Sequence, residues 1–132
     1  MRSAVLITDA RIRSSYAALR NLTNHGIRVV ATDSRRWGMC QASRRKAQFA
    51  QYRSHYLDEA GFIADVSEIC RGQSIGFVLA SHNETEVLAK YREHLPSGID
   101  KLLPNAEHCA MFNDKTRGYD FAQSCSVPVP LR

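Results

Sequence analysis

Nothing in this 132-residue chain staples it, anchors it or supplies a ready catalytic set. The four cysteines, Cys40, Cys70, Cys109 and Cys125, form no C-x-x-C pair, and none stands at zinc-finger spacing from a histidine. Disulfide and metal-ligand roles are therefore not expected, no metal ligand is assigned, and a reducing, cytoplasmic setting is. No apolar run approaches the roughly 20 residues that span a bilayer. The apolar start breaks off at Thr8-Asp9, too soon for a secretory signal, so a membrane partner is not expected either. Glycine is missing from residues 8–15, the loop after the first apolar run. Without it there is neither a G-x-G-x-x-G dinucleotide fingerprint nor a Walker A sequence, although Asp33 stands where a dinucleotide domain places its ribose-binding acid. No Ser, Cys or Asp partner is identified for the loop histidine His82, which reads as a surface residue, and nucleophilic catalysis lacks its constellation. Cys40 is the thiol expected to be exposed, and only nearby arginines mark it. Internal repeats and low-complexity segments are absent.

What is present is an uneven charge. Residues 1–56 carry eleven Lys/Arg against two Asp, and residues 57–132 carry seven against eleven Asp/Glu. A basic half suggests an anionic partner, although Arg35, Arg36, Arg44, Arg45 and Lys46 also fit a solvated loop. A nucleic acid is not the expected partner, because the aromatics do not interleave with the arginines as a stacking platform requires.

Ala4, Val5, Leu6 and Ile7 form a short apolar run of the kind buried on both faces of a parallel sheet. Ile12, Tyr16, Leu19 and Leu22 follow at helical spacing, and Gly26 supplies a left-handed stop. Residues 27–31 make a second β-branched run, completing a βαβ unit. Residues 34–45 read as irregular and 47–52 as a third, peripheral strand. From Asp58, the residues Phe62, Ile63, Val66, Ile69 and Cys70 give one apolar helix face, with Asp58 and Glu59 in the first turn. Residues 75–80 are a fourth strand, and Ser81 with Glu84, or Asn83 with Glu86, can cap the helix that carries Val87, Leu88, Tyr91 and Leu95. Residues 101–103 read as a short fifth strand. Asn105 caps a brief helix, and a last helix runs from about Asp114 to Cys125. The expected fold class is α/β, an open and mostly parallel sheet of about five strands with helices on both faces.

In such a sheet, ligands lie beyond the carboxyl ends of the strands, near the point where strand order reverses. That rule selects residues 8–15, 32–36 and 81–85. The first loop holds Asp9, Arg11, Arg13, Ser14 and Ser15 at a helix start, which suits a phosphate or carboxylate. The second holds Asp33. The third, Ser81, His82, Asn83, Glu84 and Thr85, is more polar than capping alone demands. Near the end, Lys115 stands just inside a helix start, where an ammonium and free N–H groups can meet one anion. Pro128 and Pro130 then force an extended exit, as where a chain leaves one domain for another.

The order of these elements resembles the N-terminal domain of ATP-grasp enzymes, in particular the carbamoyl-phosphate-synthase-like and biotin-carboxylase-like members. It is carried by Val5-Leu6-Ile7-Thr8-Asp9, by Thr32-Asp33-Ser34, and by a Ser-x-Asn-Glu-Thr loop. Its most specific part is Asn113-Asp114-Lys115, followed about a dozen residues later by Val127-Pro128-Val129-Pro130. The resemblance implies a Rossmann-like pre-ATP-grasp domain over residues 1–112, with residues 113–132 leading toward an ATP-grasp domain that this chain does not include. It implies that Lys115 reaches the nucleotide, and that the loops holding Asp9, Arg11, Arg13, Ser14 and Asp33, and Ser81, Asn83, Glu84 and Thr85, line a substrate crevice. Two departures stand out. Ser126 occupies a position that is commonly glycine, and Gly118 lies inside a helix at a cost of about 1 kcal/mol relative to alanine.

The function implied is the substrate side of an ATP-dependent ligase, which activates a carboxylate through an acyl phosphate and passes it to an amine. ATP and magnesium would be held by the complete enzyme, so this chain alone is expected neither to bind ATP tightly nor to turn it over. The partners implied are an ATP-grasp domain, in cis or in trans, and a small carboxylate, with a homodimer as a further possibility. A stand-alone small-molecule or nucleotide-binding module with a regulatory role is the alternative.

Overall fold

The central pair of strands accounts for most of the architecture. The computed structural model describes residues 3–99 and 102–131. Its sheet has the order β3-β2-β1-β4, with every pairing parallel: β1 is Ala4–Ile7, β2 is Val29–Asp33, β3 is Gln48–Gln51 and β4 is Ile75–Leu79. All of β2 is buried, and so are Ala4, Leu6 and Ile7 of β1, as continuous apolar runs in a parallel sheet should be. β3 lies at one edge, with Gln48 and Gln51 exposed at its ends and Phe49 and Ala50 half-buried between them. That sheet edge matches the peripheral place expected for it.

Helices cover both faces. On one side α1 (Arg13–Asn24) and α2 (Met39–Ala42) pack Leu19 and Cys40 against Ile7, Val29 and Ala31. On the other, α3 (Glu59–Gly72) and α4 (Glu84–Lys90) bring Phe62, Ile63, Val66, Val87 and Leu88 onto Leu6, Val30 and Val78. Phe62 is fully buried, and truncating it to alanine would cost about 3–5 kcal/mol. The start of α3 follows from its sequence, since the Asp58 carboxylate accepts the Gly61 N–H at 2.8 Å.

α1 ends as its glycine predicts. Gly26 has φ +72°, and the Gly26 and Ile27 amides donate to Thr23 and Leu22. This is the Schellman pattern. The same two bonds close the last helix, α6 (Lys115–Ser124), where Ser126 and Val127 donate to Gln123 and Ala122. There Ser126 takes φ +59° in a glycine's place.

Three expectations need correction. Residues 34–45 are not wholly irregular, because α2 forms within them. Cys40 is buried rather than exposed, with burial raising its thiol pKa to about 11, and its N–H donates to Ala10. Leu102 and Leu103 of the expected fifth strand lie in a turn and an irregular segment, and Lys101 lies outside the described residues. Four strands form the sheet among the described residues.

After a 3₁₀ turn over Arg92–His94, helix α5 (Ala106–Asn113) packs on α4, and α6 packs on α5. Asn105 caps α5 by accepting the Glu107 and His108 amides at 2.8 and 3.3 Å. Neither α5 nor α6 buries a residue. Phe112 and Phe121 meet edge to face at 5.7 Å and stay substantially exposed.

Candidate functional site

From β1 the chain steps outward to β2 and β3, then crosses back to place β4 on the other side of β1. Strand order therefore reverses between β1 and β4, and the crevice of an open sheet opens beyond their carboxyl ends. The residues that follow those two strands, Thr8, Asp9, Ser81, His82 and Glu84, come together there.

Asp9 is buried, with φ +46°, a left-handed conformation that Asp tolerates better than most residues. Its amide donates to the Tyr52 hydroxyl at 2.9 Å, and that hydroxyl donates to Asp9 Oδ1 at 2.8 Å. Burial and the neighbouring Asp9 charge push the Tyr52 pKa far up, so the hydroxyl keeps its proton. Arg11 spans two acids, with Nη1 2.8 Å from Asp33 Oδ1 and 3.6 Å from Asp9 Oδ1, while its amide donates to Asp33 Oδ2 at 2.9 Å. Burial works to lower the Arg11 pKa, but Asp33 and Asp9 outweigh it and raise it. Gly38 lies so close to the Arg11 backbone that a Cβ there would sit 2.5 Å from Arg11 Cα, which makes the glycine a steric requirement of this corner.

Glu84 is fully buried at the start of α4. Its Oε1 accepts Thr8 Oγ1 at 2.6 Å and the Ser81 amide at 3.1 Å, the second bond being half of the anticipated capping box. Burial first, then the charge of Asp9, raises the Glu84 pKa. Neither Ser81 nor Asn83 caps α4 through its side chain, contrary to the capping expectation. The Ser81 hydroxyl instead lies 3.2 Å from Ser14 Oγ and 3.3 Å from Ser15 Oγ, joining the third loop to the start of α1, and Asn83 Nδ2 donates to the Tyr56 hydroxyl at 2.8 Å. Thr85 is half-buried and donates its amide to His82.

The start of α1 carries no side-chain cap and no acid in its first turn, and Arg13 and Ser14 are exposed there. His55, Tyr56, Asn83 and Lys90 help line a neighbouring cavity of about 480 Å³. Burial lowers the pKa of His55. A larger opening of about 930 Å³ lies elsewhere, between edge strand β3 and α3.

The fold thus brings two bonded sets side by side, Asp9 with Arg11 and Asp33, and Ser14 with Ser81 and Glu84, with Arg13, Asn83 and Thr85 on their margin. Lys115 belongs to a different element. It is exposed at the first position of α6, where Asp114 accepts the Thr116 and Arg117 amides at 2.9 and 3.2 Å. Sequence reasoning missed Tyr52, the bond of Thr8 to Glu84 and the placement of His82, whose Nδ1 stands 3.4 Å from Asp9 Oδ2. A polar loop after a buried strand was the only signal for His82, and nothing in the sequence paired it with Asp9.

The described chain superposes on the biotin carboxylase domain of a single-chain bacterial carboxylase with TM-score 0.64 and 18% identity, over 96% of this chain and 30% of that one. The fold is that of the matched part of this carboxylase domain. A complete multifunctional pyruvate carboxylase from Rhizobium etli gives TM-score 0.62 and 15% identity, over 100% of this chain and 13% of that one. At these identities the likeness is one of fold, and the chain spans less than a third of either structure. No family model and no curated protein matches the chain. None of its described helices is long and apolar enough to cross a membrane.

Proposed function

We propose that the chain is the substrate-side domain of an ATP-dependent, carboxylate-activating ligase of the ATP-grasp type. The observation that carries this reading is the junction of Ser14, Ser15 and Ser81 at the reversal of strand order, beside an uncapped helix start flanked by Arg13. Free first-turn amides, two hydroxyls and a guanidinium suit a small carboxylate. Thr85, Asn83 and the neighbouring cavity then bound the rest of the substrate, and Arg11 holds Asp33 and Asp9 in place.

ATP and magnesium belong, in this reading, to the complete enzyme. Lys115 fits a nucleotide contact through its ammonium, because the nearby Thr116 and Arg117 amides are already taken by Asp114. The chain's own part is to bind and orient the carboxylate.

Four exposed apolar residues close together in sequence favour this reading over a self-sufficient regulatory module, although others such as Trp37 and Leu57 are exposed elsewhere. Phe112, Phe121, Val127 and Leu131 all lie on the terminal helices and exit segment, where a catalytic domain in cis or in trans would pack. Isotope-edited NMR titration with a panel of small amino and carboxylic acids tests the proposal. The Ser14, Ser15 and Ser81 amides should shift for one class of carboxylate, and Arg13→Ala should abolish the shift. Saturable binding that leaves those amides unmoved would contradict it, and so would ATP turnover by this chain that Lys115→Ala removes.

A further inference from the structure

We propose that Asp9, His82 and Glu84 form a binding site for a divalent transition-metal ion of the zinc or manganese type. The inference goes beyond the ligase reading and does not rest on it. One ligand atom from each residue lies within 4.8 Å of the other two, although 73 positions separate Asp9 from His82.

Two oxygens mark the site independently of that proximity. Asp9 Oδ2 and Glu84 Oε2 are buried and have no hydrogen-bond partner. Their sister oxygens are amply supplied, Asp9 Oδ1 by Tyr52 and Arg11 and Glu84 Oε1 by Thr8 and the Ser81 amide. Each carboxylate is thus fixed through one oxygen while the other is left over. That is how outer partners commonly orient metal ligands. Arg11, 3.6 Å from Asp9 Oδ1, is shared with Asp33, so a second buried carboxylate beside Asp9 is costly without a further cation.

His82 supplies the third donor. Its Nδ1 stands 3.4 Å from Asp9 Oδ2, too long for a strong hydrogen bond. Two ligands of one tetrahedral zinc, each about 2.1 Å from the metal, are themselves roughly 3.4 Å apart. The His82 side chain is 44% exposed, so it can adjust without disturbing the core. The left-handed backbone at Asp9, an uncommon conformation for a non-glycine residue, helps set the direction of its carboxylate.

One imidazole and two carboxylates favour zinc or manganese over calcium and magnesium, which prefer oxygen alone. Three protein ligands leave a coordination position for water or for an anion. A dication here would also reconcile an acidic floor with the anion-suited start of α1 above it.

The test uses the full chain, stripped with EDTA and carrying serine at Cys109 and Cys125, the two cysteines that are not buried. Calorimetry with zinc, manganese and magnesium chlorides should show one zinc or manganese ion per chain and no comparable magnesium binding. His82→Ala, at an exposed position, should weaken binding at least tenfold. Glu84→Gln should do the same, and manganese should broaden the NMR signals of Asp9 and Ser81 selectively. Absence of saturable zinc or manganese binding would overturn the proposal, as would binding indifferent to His82→Ala. Manganese broadening that falls elsewhere would overturn it too.

Discussion

The Tyr52 hydroxyl closes a two-way bond with Asp9, accepting its amide proton and donating to its carboxylate. Both Asp9 groups are buried, so removing the hydroxyl strands a donor and weakens the support of an acceptor. Tyr52→Phe should lower unfolding stability by about 1–3 kcal/mol, read from the urea midpoint, while the fold persists by circular dichroism. A change within a few tenths of a kcal/mol would show that water replaces the hydroxyl.

Arg11 is the cation that Asp33 needs. Arg11→Ala leaves Asp33 buried, with only the backbone amides of Arg11 and Arg35 as donors. The loss should be about 1.5–3 kcal/mol, the usual worth of a hydrogen bond to a charged group. Arg11→Lys should recover only part of it, because lysine lacks the planar fork. Equal stability for the alanine and wild-type chains, measured in guanidinium, would refute the assignment.

A second acid titrates visibly. The Arg53 amide, Nε and Nη2 donate to Asp65 at 2.8, 3.0 and 2.9 Å, and these bonds hold the Asp65 pKa below its ordinary value. With the folded pKa depressed, the pair contributes stability above the unfolded pKa of about 3.9 and loses it as pH falls through the folded value. The wild-type urea midpoint should therefore fall between about pH 5 and pH 2 more steeply than that of Asp65→Asn. Parallel curves would remove the pair from the acid limb.

Phe112 and Phe121 touch each other and little else that is buried. Phe112→Ser should cost the chain only about 0.5–1.5 kcal/mol, the value of an edge-to-face pair. It should nevertheless weaken association with an ATP-grasp segment supplied in trans, read by sedimentation velocity. Self-association of the wild-type chain that Phe112→Ser abolishes would instead point to a homodimer across this face.

The fold was legible where burial is local. Apolar runs at 4–7, 27–31 and 75–80, which the strands overlap at 29–33 and 75–79, and the helical face through Phe62, Val66 and Cys70 need no distant partner to be recognised. Helix α2 was not legible, because four residues in a basic stretch give no period, and the burial of Cys40 depends on its contact with Ala10. The site divided in the same way. Topology alone selected Asp9, Ser81 and Glu84, since each follows a buried strand. Tyr52 lies 43 residues from Asp9, and Thr8 lies 76 from Glu84. Those bonds form only once the sheet is assembled.

The position of β1 sets an order of events during synthesis. Of the four described strands the first in sequence is an inner one, and its second neighbour, β4, is not complete until residue 79. Until then the emerging polypeptide leaves the β4-side backbone edge of β1 unpaired, a sticky intermediate of the kind that chaperones shield. Ribosome-bound chains in which β4 has not yet emerged should accordingly be protease-sensitive at β1, and those long enough for β4 to have left the exit tunnel should be resistant.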